Sequence, residues 1–212
     1  MRGTLCGDRS HTAWRRLTLV GVGAALTLMP AGLAYQGLST PTVLESLRPA
    51  VVLVGSGTLT TPNTTSKAIT YNVDLAPVGA AMTATLSPSS DKSTTVEFTV
   101  SGLLPGQGYS VYAHIKACGA TPDAAGPRFQ NRQDSVRAPS TNSRYPDLSS
   151  EIWLDVHTDS AGAGTSRTTV PFVLTDRLPH SIMMHDATQT PTSPGQAVKA
   201  GARVACLTLS IR

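Results

Sequence analysis

The sequence has little of several things. Charged residues make up 14% of it, aromatic residues 5%, and there are 3 cysteines in 212 residues. Low charge beside 40% hydrophobic residues excludes a disordered chain. Three cysteines exclude a disulfide-dense scaffold. The apolar run Leu17 to Met29 falls short of the about 20 residues that a spanning helix needs, and no fixed-period repeat stands out. There is no Gly-x-Ser-x-Gly elbow, phosphate-cradling glycine loop or Cys-x-x-Cys pair.

What is present favours β structure. The 18 Gly and 15 Pro, with many Thr and Ser, suit short strands and turns, and the length suggests about one domain.

Residues 1–34 read as an export signal. A basic segment ends in Trp14-Arg15-Arg16, an apolar run follows, Pro30 breaks it, and Gly32-Leu33-Ala34 supplies small residues at a cleavage site. An uncleaved anchor is the alternative, and the arginine pair leaves both the general secretory and the twin-arginine routes open. The formal charge of +4 is mostly this segment. Removing its four Arg and one Asp from the 17 basic and 13 acidic residues leaves 13 and 12, a net +1. That excludes nucleic acid as a partner, since phosphate binding needs a basic patch, and leaves membrane contact only through an uncleaved signal. The expected location is exported: extracellular, cell-surface or a periplasm-like compartment. Cys6 leaves with the signal, so a disulfide between Cys118 and Cys206 is the economical reading.

Residues 35–67 read as a low-complexity linker or tether, rich in Thr, Ser, Pro and Gly from Gly55 to Ser66. Within it Val51-Val52-Leu53-Val54 fits either a strand or part of a stalk. From Ala68 the pattern turns to period two. Strands are predicted around Ile69–Leu75, Ala80–Leu86, Thr94–Val100, Tyr109–Ile115, Ile152–His157, Ser166–Leu174, Ser181–His185 and Arg203–Ser210. Eight short strands with few helical runs argue an all-β sandwich or barrel over residues 68–212. The polar stretch from Cys118 to Ser150 is the exception, and a loop of that length is usually either functional or disordered.

Four segments, in order, resemble the copper/zinc superoxide dismutases. Gly108-Tyr109-Ser110-Val111-Tyr112-Ala113-His114 resembles the strand carrying that family's His-x-His pair. Ala125-Gly126-Pro127-Arg128-Phe129 resembles its Gly-Pro-His-Phe turn. Ser181 to His185 resembles the strand ending in a later copper ligand, and Gly201 to Cys206 its C-terminal Arg-Leu-Ala-Cys strand. The resemblance implies an eight-stranded Greek-key barrel or sandwich with a long loop over a metal site. It implies copper ligands at His114 and His185, and an anion-guiding role for Arg203. Cys118 falls where the family's first disulfide cysteine lies.

The pattern also departs from the family. Tyr112 stands where the first His of the pair belongs, and Arg128 where the metal-bridging His belongs. Residues 119–150 contain no His, only Asp123, Asp134 and Asp147. No zinc site is expected, since scattered carboxylates are a poor tetrahedral set. Two imidazoles suit copper, but a guanidinium has no lone pair to give. The expectation is therefore an exported dismutase-family protein with an eroded, weak copper site and residual or no superoxide dismutation. Superoxide is its substrate if it is active. The alternatives are a non-catalytic surface or extracellular barrel and a loose copper-binding protein. Oligomeric state carries no sequence signal.

Overall fold

The computed structural model describes residues 50–90, 92–132, 149–191 and 200–212. The export-signal segment 1–34, the linker as far as residue 49, Asp134 and Asp147 lie outside the described residues.

The chain is all-β. Its strands are β1 (Leu53–Thr58), β2 (Ala68–Thr70), β3 (Ala81–Ser90), β4 (Ser93–Ser101), β5 (Gly108–His114), β6 (Trp153–His157), β7 (Gly164–Val170), β8 (Ser181–His185), β9 (Arg203–Thr208) and β10 (Ser210–Ile211). They form two antiparallel sheets of five strands, ordered β10-β1-β3-β4-β7 and β2-β9-β8-β5-β6. An isolated bridge between Thr60 and Ile69 joins them at one corner. There are thus ten strands among the described residues rather than the expected eight, in two open sheets: of the two expected forms, sandwich and barrel, the arrangement is not the closed barrel.

Two sequence expectations need correction. The linker does not extend to residue 67: β1 pairs with β3 from Leu53↔Leu86 to Thr58↔Ala81. Gly-Ser-Gly here is strand, and small residues are required, since a Cβ on Gly57 would meet that of Ala68 at 2.8 Å. The first predicted strand also stops early. β2 ends at Thr70, and the Asn72 side chain then accepts from the backbone N–H groups of Asp74 and Leu75, holding a turn that leaves Val73 exposed.

The first sheet alternates cleanly. Val96, Phe98 and Val100 of β4 are buried, with Met82, Ala84 and Leu86 of β3 beside them. Their outward neighbours are hydroxylic or charged, in rows such as Thr83↔Thr99↔Thr165. The buried face packs against Val111, Ala113, Leu154, Ile182, Met184 and Leu207 of the second sheet in one apolar core.

The second sheet has no comparable wet face. All seven residues of β5 and all five of β8 are buried. Its outer face is covered by the chain that follows β5. That segment folds back so that Phe129 N–H donates to Ala113 O at 2.8 Å and Ile115 N–H to Pro127 O at 3.1 Å. It contains a 3₁₀ turn, Pro122–Ala125. The cover is fastened by the Cys118–Cys206 disulfide and by the Tyr71 hydroxyl, which donates to Gly119 O at 2.8 Å. The disulfide expected from the sequence is therefore present, and it is compatible with an exported protein. Among the described residues no helix is long and apolar enough to cross a membrane.

Candidate metal centre

Register gathers the site. On β5, Ser110, Tyr112 and His114 share the covered face of the second sheet, opposite the face that carries Val111 and Ala113. Across the ladder they oppose His185, Met183 and Ser181 of β8. Trp153 of β6 opposes Tyr112 on the other side. The ring centroids of His114 and His185 lie 5.8 Å apart, and the Tyr112 ring meets His185 edge-on at 5.2 Å. Tyr112 and His114 are fully buried, and His185 retains 5% exposure.

Both imidazoles are oriented by main-chain carbonyls. His114 Nδ1 is 2.9 Å from Gly126 O, and His185 Nδ1 is 3.1 Å from Gly201 O. A carbonyl can only accept, so each Nδ1 carries the proton and each Nε2 of the neutral ring presents its lone pair. The two glycines are required for this aim. Gly126 has φ 70° and ψ −162°, a region essentially reserved for glycine. Gly201 has φ 81°, and a Cβ there would overlap the Asp186 carboxylate.

Burial keeps both rings neutral. The His114 pKa falls to about 3 and that of His185 to about 4. Desolvation is the main cause, and the Arg203 and Arg128 charges add to it, against the opposing hydrogen bonds to Gly126 and Gly201. Neither Nε2 has a hydrogen-bond partner among the described residues, and neither does the Tyr112 hydroxyl. Three buried polar atoms without partners on one face are exceptional, because such groups are nearly always satisfied.

Arg128 lies directly against this group. Its backbone forms an isolated antiparallel β-bridge with that of His114, and its guanidinium carbon sits 4.2 Å over the centre of the Tyr112 ring. It pairs with Glu151 at 3.2 Å. Glu151 also accepts from Trp153 Nε1 at 2.7 Å and from Gln130 Nε2 at 3.3 Å. Arg203 is brought to the site by a bulge: Met184 pairs with Ala205, but the next residue, His185, pairs with Arg203. Its guanidinium donates to Pro122 O at 2.7 Å and Gly126 O at 2.8 Å, and it meets Asp123 at 3.4 Å. Gly126 O therefore holds both His114 and Arg203.

The fold thus brings together the residues expected from the sequence: Tyr112, His114, Arg128, His185 and Arg203 around one face, and Cys118–Cys206 as the fastening of its cover. Sequence reading missed Glu151 and Trp153, the partners of the Arg128 side of the site. Their only signal was strand parity, which places Trp153 with the residues that end at His157. His157 itself is exposed, beyond the site. His180, just outside β8, is exposed as well.

The unpartnered donors on this face are two imidazole nitrogens and one phenol oxygen. Two neutral imidazole nitrogens and a phenol are a usable start for copper. Among the described residues no group of three His, Cys, Asp or Glu side chains could hold an ion of either copper or zinc. Asp123 is exposed and paired with Arg203. No family model matches the chain, and no curated protein matches it.

Proposed function

We propose that this is an exported relative of the copper/zinc superoxide dismutases, a Greek-key protein that binds one copper ion weakly through His114 and His185. Superoxide turnover is residual or absent. The reading is carried by one observation: two buried imidazoles whose Nδ1 atoms are committed to carbonyls and whose Nε2 atoms have no partner. The ordered likeness of four short segments, the loop fastened over the site and the Cys118–Cys206 pair all support it.

Copper, when bound, would supply the one-electron redox chemistry that dismutation requires. The protein's own contribution is narrower. His114 and His185 offer nitrogen lone pairs in a fixed tautomer, Gly126 and Gly201 hold that tautomer, and the cover keeps bulk water out. Arg203 lies beside the pair and would attract a small anion. Arg128 works against tight binding of a cation, because its charge stands on the ring that occupies a lost ligand position.

The test is copper titration of the purified protein, with metal analysis and a superoxide-consumption assay on the same sample. The expected result is at most one weakly held copper per chain, lost by about tenfold or more in affinity on His114→Ala, with turnover near background. Rapid turnover with tightly held copper would show that a further ligand exists. No copper binding at all would favour a non-catalytic barrel, in which Arg128 and Tyr112 merely fill the old site.

A further inference from the structure

The donors and charges on this face specify an ion more narrowly than copper in general. The inference rests on the copper reading above and concerns oxidation state. Each imidazole offers one neutral nitrogen, and the Tyr112 hydroxyl is the third unpartnered atom. Among the described residues no group of three His, Cys, Asp or Glu side chains forms around them. Glu151 is occupied by Arg128 and Trp153, and Asp123 by Arg203. Among the described residues, a dication placed here would find two guanidinium groups, each paired with a carboxylate, and the Asp186 charge beside His185, but no group of three His, Cys, Asp or Glu side chains to hold it.

Charge magnitude then decides. The desolvation cost of a buried ion rises with the square of its charge, and a buried charge is tolerated only when paired. Doubling the charge also doubles the repulsion that Arg128 and Arg203 still exert after their pairing with Glu151 and Asp123. Divalent first-row ions gain affinity from several donors, whereas monovalent d10 ions are satisfied by two or three soft ones. Met183, a thioether that opposes Tyr112 on the same face, is of the class that favours the monovalent ion.

We propose that the His114–His185 pair is a monovalent soft-metal site, selecting Cu(I) and its redox-inert analogue Ag(I) over Cu(II), with Arg128 as the charge that excludes the dication. Selection operates at binding and requires no electron transfer within the protein.

The experiment uses the full chain with its disulfide intact. Cu(I) is titrated anaerobically against a chromophoric competitor, Ag(I) by calorimetry, and Cu(II) by calorimetry with paramagnetic resonance. Nitrogen-15 shifts of the histidine rings report which nitrogen is engaged. The expected result is one Cu(I) or Ag(I) per chain, bound about tenfold or more tighter than Cu(II). Both Nε2 resonances should move while both Nδ1 protons are retained. Arg128→Gln should strengthen Cu(II) binding by about tenfold and leave Ag(I) within about twofold; failure of that variant to fold would leave the wild-type comparison as the deciding one.

Cu(II) binding as tight as Cu(I) would overturn the inference and leave the copper reading standing. Ag(I) binding that survives His114→Ala with His185→Ala would place the metal elsewhere and overturn both. No binding of either oxidation state would also overturn both.

Discussion

In the first sheet Val96, Phe98 and Val100 lie in the core while Glu97 and Thr99, between them, meet water; in the second, every residue from Gly108 to His114 is buried. The two sheets share one core but differ in what lies outside them. The first is finished by solvent, which satisfies threonine hydroxyls at no structural cost. The second is finished by its own chain, and a protein cover can exclude water without replacing every hydrogen bond that water made. That is why the unpartnered Tyr112, His114 and His185 atoms collect there. The candidate chemistry follows from the cover rather than from the sheet.

This contrast can be broken most forcefully at its fastening. Replacing Cys118 and Cys206 together by Ser should cost about 4–5 kcal/mol, the chain-entropy value for a closed loop of 88 residues. Denaturant unfolding measures it, and a loss below ~1 kcal/mol would mean that the cover stays in place unaided. Met183→Ala and Met184→Ala probe the two faces of one strand. Both should cost about 2–5 kcal/mol if the outer face is as closely packed as the core. A surface-like value for Met183→Ala alone would show an open face.

Acid sharpens the comparison next. Both histidines have folded pKa values well below the ordinary value near 6.5, so in the window between that value and about 4 the unfolded chain binds more protons. Their contribution to stability is complete above pH ~6.5 and is lost as pH falls toward the folded values. Near pH 5 the slope should be about 2.5 kcal/mol per pH unit, and His114→Gln should remove about half of it. Unfolding curves across that range test the sign and the share. The smallest effect belongs to the wet face, where Thr99→Ala should change stability by no more than about 0.5 kcal/mol.

Legibility in the sequence follows the same division. Where one face meets water, as in β3 and β4, period two is plain: β4 is predicted to within one residue at each end, and β3 is found but runs four residues past its predicted end at Leu86. The second sheet's strands are legible too, through their apolar inner residues. Their outer residues alone do not reveal whether water or protein covers them. Leu53–Thr58 was not legible as a whole, because Gly-Ser-Gly has the composition of a linker even where its smallness is needed for packing. At the site, Tyr112, His114, Arg128, His185 and Arg203 follow from a resemblance in short segments. The Arg128–Glu151–Trp153 chain does not, since it joins residues with no shared motif through the fold alone.

The bulge in β9 has a consequence for how this protein tolerates change. Arg203 and Cys206 are three positions apart, an odd spacing that would put them on opposite sides of a regular strand. Both nevertheless serve the covered face, because Val204 and Ala205 both turn into the core between them. Length, not residue type, is the strict inheritance of this segment. Exchanges of Val204 for another apolar residue are mild edits, whereas deletion of a single codon between Arg203 and Cys206 is a frame error written in geometry. It would turn either the arginine or the cysteine inward, and so forfeit either the contact with the histidine pair's carbonyl or the clasp that closes over it.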